Sequence, residues 1–270
     1  MAVDIRLALG QFGAALGDVE ANLDRALTFV GEAAGQCADL LCLPELCLSG
    51  YLLEREQYER LLDAVTAAEQ RLAAEAEKLG LALVYGAPRR REGALVNAVV
   101  LYRPGGRHLV YAKTHMDMKE RRVFKRGGGF LVEQPSGLGL ACCYDLAFPE
   151  ASRMLALGGA RALLVPMAWE VERGFVMDAV VPARAVENVA WVVCVNQAGR
   201  QGSFRFRGGS CVVDPFGRTV LRLGEETELA VAELDLSLVD RLRNRSDEST
   251  YPLLDDRRGD LYEPLAGGAQ

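Results

Sequence analysis

The sequence predicts an α/β protein whose strands form two sheets packed face to face with helices outside. Short apolar runs of strand length alternate with amphipathic helical stretches from the start of the chain. About ten strands are legible, more than one open twisted sheet needs in a chain of 270 residues. The later strands are separated by turn residues such as Asp214-Pro215-Phe216-Gly217 rather than by helices.

In chain order, Ile5–Gln11 reads as a strand and Asp18–Ala34 as a helix. Further strands are expected at Leu40–Leu43, Leu81–Tyr85, Ala98–Tyr102, Leu109–Ala112, Leu138–Cys142, Ala162–Val165, Trp191–Val195, Cys211–Val213, Thr219–Leu223 and Glu228–Leu234. Tyr58–Leu79 has apolar residues at helical spacing, and Gly80 stands where a C-cap glycine belongs. Phe175–Val189 is a further helix in which Pro182 predicts a kink or a late start. No repeat or linker interrupts the pattern, so residues 1–270 read as one domain. Lys125–Gly129 and the tail from Arg243 are loose, the tail 243–270 being expected to order by packing on a partner subunit.

Half of the residues are hydrophobic and a quarter charged, the balance of a chain that buries a core. A net charge of −6 with no dense Lys/Arg block argues against nucleic acid or an anionic membrane as the main partner and favours a small molecule. The start lacks a secretion signal, and no apolar run reaches the ~18 residues of a membrane helix. Seven cysteines, mostly in apolar surroundings, suggest reduced thiols and a cytoplasmic location. With only His108 and His115 as histidines and no zinc-knuckle spacing, neither metal nor cofactor is expected.

Leu138 to Glu150 carries the chemistry: a strand runs into a turn and then a helix marked by Pro149. A thiol there sits near backbone N–H groups that favour the thiolate and hold an oxyanion, which makes Cys143 the candidate nucleophile. Alternation turns Cys142 to the opposite face, where it reads as a small core residue. Neither histidine has the flanks of a known cysteine-histidine pair, so the base is sought among carboxylates. Glu45, after the buried run Leu40–Leu43 and Pro44, is placed for general-base work. Lys113 also follows a strand, although a lysine on a loop is by itself more often a solvated one.

Together these words resemble the nitrilase superfamily of carbon-nitrogen hydrolases, in its amidase-like branch. The resemblance rests on Gly17-Asp18-Val19, Asn22-Leu23, Asp39-Leu40 to Leu46, Ser49-Gly50-Tyr51, Tyr111-Ala112-Lys113-Thr114-His115, Cys143-Tyr144-Asp145 and Phe148-Pro149-Glu150. It continues through Asn196-Gln197-Ala198-Gly199, Gly209-Ser210, the Asp214 turn and Asp256 to Tyr262. It implies an αββα four-layer sandwich of mixed sheets, a homodimer formed through helices or a higher even-numbered homo-oligomer, and a triad of Glu45, Lys113 and Cys143. It also implies a second carboxylate near Lys113, for which Glu120 is the match and Asp117 the alternative.

The activity implied is hydrolysis of a small carboxamide through a thioester, with the N-carbamoyl and nitrile hydrolases, acyl transfer and a non-catalytic binding protein as alternatives. Lys113 and the Tyr144 N–H would hold the oxyanion, and Lys113 would lower the pKa of the thiol. Tyr51, Tyr144, Met167 and Trp169 are the expected pocket walls, and Glu170 could read an ammonium on the substrate.

Overall fold

The computed structural model describes residues 4–51, 53–244 and 252–262. In chain order the strands are β1 (Asp4–Gln11), β2 (Leu40–Cys42), β3 (Ala82–Arg91), β4 (Ala94–Arg103), β5 (Arg107–Ala112), β6 (Leu131–Glu133), β7 (Leu138–Leu140), β8 (Ala162–Met167), β9 (Trp191–Asn196), β10 (Ala198–Gln201), β11 (Phe204–Arg207), β12 (Cys211–Val213), β13 (Thr219–Arg222) and β14 (Glu228–Asp235). The helices are α1 (Val19–Gly35), α2 (Arg55–Leu79), α3 (Met118–Val123), α4 (Pro149–Leu157), α5 (Gly174–Asn188) and α6 (Leu236–Leu242).

One six-stranded sheet runs β14-β1-β2-β3-β4-β5 and the other β13-β12-β9-β8-β7-β6. The middle strands β1, β2 and β3 of the first, and β7, β8 and β9 of the second, are parallel. The outer pairings are antiparallel. Parallel neighbours need a crossover, supplied by α1 and α2 in one sheet and by α4 and α5 in the other. The same strand pattern therefore occurs twice, although no repeat is visible in the residues.

Alternation along the strands builds the layers. Leu7, Leu9, Leu40, Cys42, Val84 and Val99 enter the core shared with the second sheet, where β1 lies against β9 and β3 against β8. Ala8, Leu41, Leu43, Leu83 and Val100 face the other way and pack on Leu23, Phe29 and Val30 of α1 and on Leu72 and Ala76 of α2. Leu155 of α4 and Met177, Val181 and Ala185 of α5 join the core of the second sheet. Each large aliphatic side chain so buried contributes about 1.5–3 kcal/mol. The expected two-sheet α/β sandwich is therefore the fold.

Three local expectations change. β3 and β4 run further than their apolar patterns, because Glu92 (φ 51°) and Gly93 (φ 75°) make a two-residue hairpin turn that carries the pairing out to Arg91 and Ala94. α5 begins at Gly174, ahead of the expected start, and continues through Pro182 to Asn188, so the late start does not occur. β7 stops at Leu140, two residues early, because Cys142 already leads into a 3₁₀ turn at Cys143–Ala147.

Of the tail expected to pack on a partner, 245–251 and 263–270 lie outside the described residues. At its start, Arg243 Nη2 donates to its own chain's Ala160 O (2.8 Å) and Asn188 O (2.9 Å). Among the described residues, no helix is long and apolar enough to cross a membrane.

Candidate active site

Glu45, Lys113 and Cys143 all stand just past the carboxyl ends of strands, β2 and β5 in one sheet and β7 in the other. β2 ends at Cys42, but the chain stays against β3 through Pro44 to Cys47, whose N–H donates to the Gly86 carbonyl (3.1 Å). Gly86 N–H donates to the Pro44 carbonyl (3.1 Å) and Gln197 Nε2 to the Glu45 carbonyl (2.8 Å). A Cβ at Gly86 would lie 2.5 Å from Glu45 Cα, so only glycine lets this segment rest on β3. Lys113 N–H donates to Asn97 O (2.9 Å), extending the pairing of β4 with β5 and aiming the side chain inward.

Lys113 Nζ stands 2.7 Å from Glu45 Oε1 and 2.7 Å from Glu120 Oε1, and none of the three side chains is more than 1% exposed. Asn97 Nδ2 donates to the same two oxygens at 2.7 and 3.3 Å. Both carboxylates thus spend one oxygen on the same two donors. Glu45 Oε2 and Asn97 Oδ1 are buried with no hydrogen-bond partner among the described residues.

Of the two acidic candidates beside Lys113, Glu120 makes the contact. Asp117 instead caps α3, accepting from the N–H groups of Lys119 and Glu120 at 2.9 Å. Cys143 is 2% exposed and has a left-handed backbone (φ 44°), held for a non-glycine residue by the surrounding turn.

The electrostatics depart from one expectation. Burial, followed by the negative charge of Glu45, pushes the Cys143 thiol well above its usual range, against the opposing effects of Lys113 and of the Ala168 N–H hydrogen-bonded to the sulfur. Lys113 pulls in the expected direction and loses, so the resting group is a thiol rather than a standing thiolate. Burial opposes the charge on Lys113, but Glu45 and Glu120 overcome it and raise its pKa. Burial raises Glu120 to about 7 against the pull of Lys113.

The sign of the linkage for Glu120 follows from that rise. With its folded pKa above the ordinary value of 4.5, the folded state holds a proton in the window from about 4.5 to 7 that the unfolded chain releases. The contribution of this group to stability is full below that window and is lost as the pH climbs through it. Glu120→Gln removes the group, so the stability of the variant relative to wild type should rise between pH 5 and pH 7. Urea unfolding at the two pH values checks this, and an unchanged difference would contradict it.

Tyr51, Asp117, Glu120, Cys143, Tyr144 and Trp169 line a cavity of about 20 Å³, with Glu170 and Arg173 at the same wall. Larger grooves of about 530 and 640 Å³ lie elsewhere and are not lined by the buried Lys113 or Cys143. Met167 departs from its expected place. Its side chain is fully buried in the core between the layers and off the cavity wall, because strand alternation at the end of β8 turns it inward. Its carbonyl accepts from the Gln197 N–H (3.1 Å).

Residue reasoning missed Asn97, Asn196 and Gln197 as supports. Asn196 Oδ1 accepts from Trp169 N–H (2.7 Å), and its Nδ2 donates to Trp169 O (3.1 Å) and Gly208 O (3.0 Å). Asn97 is the single polar residue between the apolar runs of β4. A fully buried amide inside such a strand is the signal that would have found it.

The profile of the carbon-nitrogen hydrolase family matches residues 6–244. A hydrolase of Pseudomonas protegens is 37% identical over 270 residues, covering 97% of this chain and 92% of that protein. An (R)-stereoselective amidase of a Pseudomonas species is 35% identical over 259 residues, covering 94% and 92%. Among solved structures, an amidase from Nesterenkonia sp. superposes with a TM-score of 0.85 at 33% identity, covering 97% of this chain and 96% of that one. A mutant of the Nesterenkonia amidase, with a TM-score of 0.84 at 32% identity and 96% coverage of both chains, carries the acetamide moiety of fluoroacetamide on its active-site cysteine. A match of this extent, on a sandwich with a buried lysine between two carboxylates beside a cavity thiol, makes this chain a member of the carbon-nitrogen hydrolase family within the nitrilase superfamily, an enzyme acting on carbon-nitrogen bonds other than peptide bonds.

Proposed function

We propose that this enzyme hydrolyses a small carboxamide to carboxylate and ammonia through a thioester on Cys143. The observation that carries the reading is the division of labour on Glu45. Oε1 is committed to Lys113 and Asn97, while Oε2 is buried and takes no hydrogen bond from the described residues. A carboxylate oxygen that takes no hydrogen bond from the described residues is available for a proton, and the thiol of Cys143, kept protonated by its surroundings, has one to give.

Glu45 Oε2 takes the thiol proton as sulfur bonds to the amide carbon. The Lys113 ammonium and the Tyr144 N–H receive the oxyanion, the first N–H groups of a helical turn having no partner inside it. Collapse breaks the carbon-nitrogen bond, and Glu45 gives its proton to the nitrogen, which departs as ammonia. Water then loses a proton to Glu45 and attacks the thioester, and the sulfur leaves as a thiolate that recovers the proton. Glu120 keeps Lys113 charged and aimed. The small cavity favours a short acyl group, with Tyr51, Tyr144 and Trp169 around it and Glu170 in position to meet a cationic substituent.

The test is ammonia release from a graded series of short primary amides, N-carbamoyl amines and nitriles. Activity confined to carbamoyl compounds or nitriles would overturn the carboxamide reading. Glu45→Gln keeps an acceptor for Lys113 but cannot take a proton, so turnover should fall about 10²–10⁴-fold in a folded protein. Wild-type turnover in that variant would remove Glu45 as the base.

A homodimer belongs to the same proposal. Met154 and Leu157 of α4 and Val186 of α5 leave an apolar outer face 44–52% exposed. Sedimentation as a monomer at micromolar concentration would refute it.

A further inference from the structure

We propose that Asp145 is a positioning residue that locks the turn carrying Cys143 to the loop carrying Lys113. This rests on the reaction assigned above to those two side chains. The two segments come from different sheets, since Lys113 follows β5 and Cys143 follows β7. Nothing in either sheet's hydrogen-bond ladder sets one against the other. Asp145 spans the gap from a fully buried position.

Its two oxygens divide between the segments. Oδ2 accepts from the Cys142 N–H (2.9 Å), next to the nucleophile, and from the Tyr111 hydroxyl (2.8 Å). Oδ1 accepts from the Thr114 hydroxyl, the His115 N–H and His115 Nδ1, each at 2.9 Å. The segment just after Lys113 and the peptide just before Cys143 thus hang on one carboxylate. Phe148, beyond the turn, stacks on His115 at 4.1 Å between ring centres and adds a second link. Hydrogen bonds from His115 and Tyr111, with the charge of Lys113, overcome burial and keep the carboxyl below its usual range, so both oxygens stay acceptors.

Each oxygen carries one donor that has no alternative. Hydroxyls rotate and an imidazole can change tautomer, but the N–H groups of Cys142 and His115 only donate. An ionised carboxylate satisfies both. An amide does not, because its NH₂ must face one of the two and orphan it. Asp145→Asn, the same size and shape, therefore releases either the thiol turn or the lysine loop. The left-handed backbone of Cys143 (φ 44°) makes the turn the weaker side, since it relaxes once its neighbour's tether is cut.

The residue touches no cavity wall, so the loss falls on turnover rather than substrate binding. In Asp145→Asn, kcat should fall about 10²-fold, the cost of roughly 1 Å of misplacement between reacting groups. KM should stay within about twofold. Carbamidomethylation of Cys143 by iodoacetamide, followed by peptide mass, should slow about tenfold. Thr114→Val removes a hydroxyl donor but keeps both backbone tethers, and should retain kcat within about threefold.

A folded Asp145→Asn with wild-type kcat, a loss confined to KM, or unchanged alkylation of Cys143 would overturn the proposal. Should that variant not fold, Asp145→Glu, which keeps an ionised acceptor on a side chain one methylene longer, decides. A fall in kcat with KM held and alkylation of Cys143 slowed sustains the tether, and wild-type kcat and alkylation overturn it. Alkylation is read without substrate, so a failure here is separable from a failure of the proposed amide chemistry.

Discussion

Cys143→Ala should release no measurable ammonia from any amide the wild type accepts, a fall of at least about 10⁶-fold, because without a nucleophile no thioester forms. The protein should stay folded, since alanine removes one sulfur from a site that borders a cavity. The informative control is Cys142→Ala. Both thiols are buried, and burial pushes both well above their usual range. Acidity therefore does not choose between them. Geometry does, because Cys143 lines the cavity and receives the Ala168 N–H, whereas Cys142 contributes its backbone N–H to Asp145. Cys142→Ala keeps that N–H and should keep turnover within a few-fold. Iodoacetamide should label Cys143 and the exposed Cys37 and spare Cys142. Activity lost in Cys142→Ala and kept in Cys143→Ala would exchange the two assignments.

The pair also shows how far reading from residues alone reaches. Both cysteines lie beyond the end of β7, so the 3₁₀ turn rather than strand alternation puts Cys143 on the cavity wall and leaves Cys142 off it. A strand followed by a polar residue was enough to suspect Glu45. Lys113 was legible only through its neighbouring words, since a lysine after a strand is ordinarily solvated and nothing local says that two carboxylates wait for it. Its fully buried ammonium is a product of β4, β5 and α3 meeting, which is tertiary information. Met167 was misplaced for a related reason, because a residue at a strand end points either into the core or into the cleft and only the sheet's orientation decides. The sense of the Cys143 shift was also out of reach. It depends on whether desolvation and Glu45 outweigh one ammonium, and that balance needs the depth of burial. Asn97 left a trace, an amide between apolar runs, that pattern reading passes over when it looks for reactive groups.

Lys113→Met should be the most damaging substitution for stability. Methionine fills a similar volume, so packing is nearly conserved and what is lost is the charge between two carboxylates, each 2.7 Å from the ammonium. Breaking a buried pair from one side costs about 3–5 kcal/mol, because the partner charges stay dry and uncompensated. The protein can escape by taking up a proton. Glu120, already raised to about 7 with Lys113 present, rises further once that opposing charge is gone, so folding of the variant takes up a proton over a wider window. The deficit of the variant relative to wild type should therefore be smallest in mild acid and grow as the pH rises past 7. Urea unfolding at pH 5.5 and pH 8 would measure it, and an equal deficit at both would mean the carboxylates do not carry the cost. Lys113→Met with Glu120→Gln removes one of the stranded charges and should recover a large part of the lost stability. Turnover should not return with it. The oxyanion still lacks its ammonium, worth about 10²–10³ in rate, so a refolded but inactive double variant separates the structural duty of Lys113 from its chemical one.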